Sequence, residues 1–156
     1  MINFLQQYRF LVVPILVWIA IQSFKVMYDL AVTKKFNFKR IMGAGGMPSS
    51  HSAVVTCLAT LVGKAEGTDS IMFAMATIFA LVVMYDAAGV RRAAGKQAAC
   101  LNRIIMDIYK QELKEAGGKL KEWLGHTPVQ VIVGAIFGIF YAYYIHIILA
   151  RFVTLS

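Results

Sequence analysis

Charged residues are scarce in this chain, at 15% of 156 residues, against roughly 25% in a soluble globular domain. That shortfall excludes an ordinary solvated surface over most of the molecule. Acidic residues are scarcer still, eight against sixteen basic ones, so a site built from several clustered carboxylates has few members to draw on. The two cysteines, Cys57 and Cys100, form no C-x-x-C and are read as small apolar packing residues. There is no internal repeat and no low-complexity segment. No small-residue cleavage site follows the first apolar run, so that run is expected to persist as a helix. The length suits one domain, 1–156.

What is present is apolar and continuous. Hydrophobic residues make up 59% and the mean hydropathy is +0.65. Phe10 to Met27, Ile71 to Tyr85 and Val129 to Leu149 are long runs with few interruptions. Each reaches, or with its flanks approaches, the ~20 residues that a helix needs to cross a bilayer core. Buried soluble helices would be the alternative, but three such stretches leave too little chain to bury them. The fold class is therefore all-α: a polytopic membrane helix bundle with about four transmembrane helices and one amphipathic interfacial helix.

The expected order is a helix from Phe10 to Leu30, a basic glycine-bearing loop, and a helix from Pro48 to Gly63. A turn at Gly67 to Ser70 leads to a helix from Ile71 to Ala88. Lys96 to Ala116 is amphipathic, with Leu101, Ile104, Ile105, Ile108 and Leu113 at helical spacing. Thr127-Pro128, a capping Thr before Pro at the first helical position, opens the last helix, which runs to about Leu149. The second helix, about 16 residues or ~24 Å by helical rise, is short for a ~30 Å core. Crossing is preferred to re-entry because it preserves the charge asymmetry described next.

The net charge of +8 would suit nucleic acid, but its placement suits a membrane surface. Lys34, Lys35, Lys39 and Arg40 follow the first helix. Arg91, Arg92, Lys96, Arg103, Lys110, Lys114, Lys119 and Lys121 lie between the third and last helices. Only Arg9, Lys64 and Arg151 fall at the other ends. Four crossings put the rich set on one face, which the positive-inside rule makes cytoplasmic, with both termini outside the inner (cytoplasmic) membrane. The amphipathic stretch would lie along the inner surface, its cations near anionic headgroups.

Three polar clusters fall on that same face. Gly43-Ala44-Gly45-Gly46-Met47-Pro48-Ser49-Ser50-His51 approaches a helix start, where backbone N–H groups and partial positive charge suit a phosphate; a plain capped turn is the alternative. Asp86 ends an apolar helix, where a carboxylate is costly and usually functional. Arg91 and Arg92 follow it, with forked donors suited to phosphate oxygens, and Lys96 lies just beyond. His126 precedes the Thr127-Pro128 helix start. His146, among aromatics, is read as packed or lipid-facing, and the eight methionines as gap fillers.

Pro48-Ser49-Ser50-His51 resembles the Pro-Ser-Gly-His motif of the type-2 phosphatidic acid phosphatases, relatives of the vanadium haloperoxidases. The strings Gly-Gly-Met-Pro-Ser-Ser-His-Ser, Asp-Ala-Ala-Gly-Val-Arg-Arg and Leu-Gly-His-Thr-Pro are similar to the divergent branch of that superfamily, from about Lys25 to Gly138. The resemblance implies that His126 is the nucleophile and His51 the general acid, with a phosphohistidine intermediate and no metal or other cofactor. The phosphate ligands would be Lys25, Gly45, Gly46, Ser49, Ser50, Arg91, Arg92 and Lys96. The sequence departs from the superfamily at several points. Five residues separate Lys34 from Arg40 where the superfamily has six, and Ile41 replaces Pro. No Arg lies between Lys119 and Gly125, and Gln130 stands where an Asp normally follows the nucleophile. Asp86 is then the acid expected to orient His126.

The implied function is hydrolysis of a lipid phosphomonoester or pyrophosphate, with phosphatidylglycerophosphate or phosphatidic acid preferred because the site faces the cytoplasm. The alternative is a non-catalytic protein that binds or moves an anionic lipid with the same basic pocket. A structural subunit of a larger assembly would explain the helices but not the two His motifs. Divalent metal binding by His51, Asp86 and His126 is a lesser alternative. A CDP-alcohol transferase would need aspartates that are absent near Asp86. Four helices leave thin cover for a buried site, so a homodimer is an open expectation.

Overall fold

The computed structural model describes residues 8–34, 46–109, 120, 122 and 124–154, and every element among them is a helix. These are α1 (Arg9–Thr33), α2 (Ser50–Glu66), α3 (Ile71–Ala88), α4 (Val90–Tyr109) and α5 (Pro128–Thr154). Gly45, Lys35, Lys39, Arg40, Lys110, Lys114, Lys119, Lys121 and the His146 side chain lie outside the described residues.

The helix ends follow local chemistry. Ser49 caps α2 by accepting from the Ser52 N–H, and Ser70 caps α3 by accepting from the Phe73 N–H. Thr127 and Gln130 cap α5 reciprocally: the Thr127 N–H donates to Gln130 Oε1 at 3.0 Å and the Gln130 N–H to Thr127 Oγ1 at 3.3 Å. Lys34 closes α1 in the left-handed region, its N–H donating to the Leu30 carbonyl. Gly89 alone separates α3 from α4, so the amphipathic helix starts at Val90, six residues earlier than its charge pattern suggests.

Three described helical stretches are long and apolar enough to cross a membrane: α1, the segment opened by α3, and α5. α2, the shortest at 17 residues, occupies the centre, packing against α5 most extensively and then against α3 and α1. Its polarity is tolerated there. Thr56 Oγ1 donates to the Ser52 carbonyl at 2.8 Å and lies 3.0 Å from the Ala135 carbonyl of α5; Thr60 Oγ1 donates to the Thr56 carbonyl. Hydroxyls satisfied this way cost little in a bundle interior, and those reaching a second helix help join it. α2 runs parallel to α5, since Ser49 faces Gly134, Ala53 faces Gly138 and Lys64 lies over the Tyr143 ring at 4.2 Å. It keeps one direction throughout and does not turn back.

The core is built of small and branched residues: Val13, Val17 and Ile21 of α1, Ala53, Cys57 and Leu61 of α2, and Ala142 of α5. Large apolar side chains point outward instead, among them Leu11, Ile71, Ile78, Phe79, Ile136 and Phe140. Such an inverted surface requires a hydrocarbon solvent. The expectation that methionines fill interior gaps is met only in part. Met84 is half-buried at a gap between helices that Thr56, Thr60 and Phe73 also line, whereas Met27, Met47, Met72, Met75 and Met106 are exposed, where surrounding lipid solvates a thioether chain as well as a core does. Cys57 is packed as expected, whereas Cys100 is exposed on α4.

Gly134 and Gly138 set the α2–α5 distance. A Cβ at Gly134 would overlap the Ser49 carbonyl oxygen, and one at Gly138 would overlap the Ala53 carbonyl and Thr56 Oγ1. Backbone cannot yield as a side chain can. Gly138→Ala is therefore expected to destabilise by about 1–3 kcal/mol, the range of core overpacking, read as a lower thermal midpoint in detergent. Gly63→Ala, whose Cβ meets only the Phe73 ring, should change the midpoint much less. Equal shifts would contradict this packing.

Candidate active site

Three helix ends meet at one end of the bundle. α2 begins there with Ser49, Ser50 and His51; α3 ends there with Asp86 and Ala87; α5 begins there just after His126. Two backbone hydrogen bonds lock the junction. The Ser49 N–H donates to the Gln130 carbonyl at 3.0 Å, and the His126 N–H donates to the Ala87 carbonyl at 2.9 Å. The second bond occupies one of the last α3 carbonyls, which lack partners in their own helix. Gly125, at φ +83°, passes so close to the Arg92 backbone that a Cβ would collide with it.

This junction sets the His51 and His126 rings edge to face, with centroids 5.9 Å apart and planes at 75°. His126 is 2% exposed. Neither of its ring nitrogens, nor Nδ1 of His51, hydrogen-bonds to any described residue. Buried polar atoms are nearly always paired, so three unpaired imidazole nitrogens facing one junction point to a ligand that completes them.

The charges around the pair are mainly cationic, with the Asp86 carboxylate acting on His51 in the opposite sense. Lys25 is buried in α1 at 4% exposure, and its charge and that of Arg91 act on both imidazoles. A buried lysine in a membrane helix is costly and usually serves a function. Burial first, then the charges of Lys25, His51 and Arg91, push the His126 pKa down to about 4. His126 is thus neutral at physiological pH, with a lone pair available.

The other sequence-predicted residues divide. Ser49 and Ser50 are buried at the α2 start, but Ser49 Oγ is engaged as the cap, accepting from the Ser52 N–H at 3.3 Å and the Ser52 hydroxyl at 3.0 Å. Gly46, at φ +92°, leads into that turn. Arg92 and Lys96 are exposed on α4, and neither is among the charges that act on the imidazoles. Asp86 does not orient His126 through a hydrogen bond. Its carboxylate accepts from Arg91 Nε at 2.7 Å, because the short link at Gly89 brings the first turn of α4 back over the last turn of α3. Gln130 does not orient His126 either; its amide is committed to the α5 cap. The described residues contain no group of three or more His, Cys, Asp and Glu spaced to hold a metal.

Asn102 is a positioning residue that the sequence reading missed. It is 2% exposed on α4. Its Nδ2 donates to the Leu120 carbonyl at 2.9 Å and to Glu122 Oε1 at 2.7 Å, while its Oδ1 accepts from the Leu120 N–H at 2.9 Å. Gly95, two helical turns earlier, lies against the Glu122 and Leu124 carbonyls. Together they dock the chain leading to His126 onto α4. The docking face of α4 is thus Gly95, Ala98 and Asn102, while Leu101 and Ile104 are exposed with the cations. The apolar stripe that marks α4 as amphipathic points away from the bundle, as an interfacial helix requires.

A family model described as Divergent PAP2 family matches residues 6–141, a span that contains every residue of the junction. The chain is similar to the uncharacterized membrane protein YuiD of Bacillus subtilis (strain 168), at 43% identity over 128 residues, covering 76% of this chain and 81% of that one. No solved structure matches.

The lowered His126 pKa makes stability depend on pH in a defined direction. An unfolded histidine titrates near 6.5, the folded one near 4. Between those values the unfolded state binds the extra proton, so stability falls as pH drops from about 6.5 to about 4 and flattens below. The loss is at most about 3 kcal/mol. Thermal midpoints in detergent across that window should slope down in wild type and less steeply in His126→Gln. Identical slopes would contradict the assignment.

Proposed function

We propose, from the premise that this chain belongs to the divergent PAP2 family, that it hydrolyses the phosphate of a membrane lipid through a phosphohistidine. The chain is a membrane protein related to phosphatases; the reaction, its residues and its substrate are the proposal. The observation that carries it is the pair of imidazoles 5.9 Å apart, one buried and neutral, with three ring nitrogens that find no partner among the described residues, under the charges of Lys25 and Arg91.

The steps follow from that geometry. A His126 nitrogen attacks phosphorus, forming a P–N bond as the P–O bond to the lipid breaks. His51 enters the step as the imidazolium, a form the bound phosphate dianion stabilises, and the departing alkoxide takes its proton. Water then attacks the phosphorus of phosphohistidine, giving its proton to His51, and the P–N bond breaks to release inorganic phosphate and restore His126. Lys25, Arg91 and the N–H groups at the α2 start offset the charge on the transferring phosphoryl group. Asp86 acts by holding Arg91 rather than by touching His126.

Positive-inside placement puts this site at the cytoplasmic face of the inner membrane, with the outer ends of α1 and α5 on the other side. A lipid made in that leaflet, such as phosphatidylglycerophosphate or phosphatidic acid, is then the preferred substrate.

Phosphate release from lipid phosphates in detergent tests the reading. Wild type should be active with EDTA present and inhibited by vanadate. His51→Ala and His126→Ala should each lose on the order of a hundredfold or more, the contribution of a positioned acid or nucleophile. Wild-type inactivity over a broad lipid panel, with anionic lipid still retained, would favour a non-catalytic lipid-binding protein that uses the same pocket.

A further inference from the structure

An apolar groove of about 290 Å³ opens beside the residues that lead into α2, lined by Ile21 and Phe24 of α1, Met47 and Pro48 before α2, and Val133 and Phe137 of α5. Its upper end adjoins the site. Pro48 directly precedes Ser49, whose N–H is bonded to Gln130, and Ile21 is one helical turn from Lys25. Its lower end lies deeper: Phe137 is nine residues into α5, roughly 13 Å along the axis at 1.5 Å per residue. Polar chemistry therefore stands at one end of a groove that descends along the helices toward the bilayer interior.

We infer that this groove seats one hydrocarbon chain of the lipid whose phosphate lies between His51 and His126; the inference rests on the lipid phosphatase reading and specifies how that substrate is held. At the ~30 Å³ of a water molecule, the groove has room for a chain segment of roughly ten heavy atoms. A lipid standing in its leaflet, phosphate at the interface and tail descending, matches the direction of the groove. A soluble phosphoester would leave it empty.

The groove does not attract the chain by hydrophobicity, since surrounding lipid is equally apolar. It acts by position. Three walls from three separate elements hold the chain, and the chain fixes the angle at which the phosphorus meets His126. Loss of that constraint should appear as poorer alignment in the reaction rather than as weaker partition into the membrane.

Val133 and Phe137 are partly exposed in the groove wall, so larger side chains can replace them without entering the core. The test compares kcat/KM for palmitoyl and hexanoyl phosphatidic acid in detergent. Val133→Trp, and independently Phe137→Trp, should lower the long-chain to short-chain ratio by roughly tenfold to a hundredfold, the scale of a misplacement of about 1 Å. Phe79→Trp, on the outward face of α3, should leave the ratio unaltered. An unchanged ratio in both groove variants, with thermal midpoints near wild type, would overturn the assignment. Should wild type cleave neither lipid, the phosphatase reading fails, and retention of the two lipids measured by native mass spectrometry decides the groove alone. Selective loss of the palmitoyl lipid in Val133→Trp supports it, and equal retention by wild type and variant refutes it.

Discussion

The close approach of α5 to the first turn of α2 is the constraint on which the rest of the structure depends. Within a bilayer, helices gain little from hiding apolar surface from one another, so they associate through packing and interhelical hydrogen bonds. Gly134 and Gly138 remove the side chains that would separate the two backbones, and Thr56 adds a contact to the Ala135 carbonyl. Because α2 and α5 are parallel, their N-termini coincide. The residues at those termini, His51 and His126, are thereby brought together whatever the intervening loops do.

A second set of contacts determines how His126 is presented. Its own N–H is anchored on the end of α3, and the chain before it is tied to α4 by Asn102 and by the small face at Gly95 and Ala98. Backbone bonds thus fix the histidine while its ring nitrogens find no partner among the described residues. An unfilled polar group inside a protein typically costs 1–3 kcal/mol. Retaining several of them next to a buried lysine makes sense if an anion supplies the missing partners. α4 links this arrangement to the membrane surface, since the helix that docks the His126 strap also exposes Leu101, Ile104 and a row of cations.

The helical architecture was legible because bilayer thickness imposes long apolar runs, and the helix starts at Ser49, Ser70 and Thr127 were legible because capping chemistry is local. The two His motifs could be read for the same reason: each sits at a helix start that its neighbours announce. What escaped were relations between helices. Asp86 could be recognised as a costly carboxylate, but its partner depended on how sharply the chain turns at Gly89, and that turn gave it to Arg91. Asn102 looked like one polar residue on an amphipathic helix; only the returning chain makes it a clamp. The G-x-x-x-G at Gly134 and Gly138 was a signal available in the sequence, but such a pair does not name the helix it approaches, here the start of α2. The methionines divided because lipid receives their side chains as readily as an interior gap does: Met84 is half-buried between helices, and five others are exposed.

The account as a whole requires that one buried imidazole accept a phosphoryl group while the other handles the proton. The most direct test is to quench wild-type protein with alkali during turnover of phosphorus-32-labelled phosphatidic acid and to map the label by mass spectrometry. Label on His126, stable to base and labile to acid as a phosphoramidate is, and absent from His126→Ala, is the predicted result. Turnover with no protein-bound phosphoryl group, or with label on a residue other than His126, would contradict it.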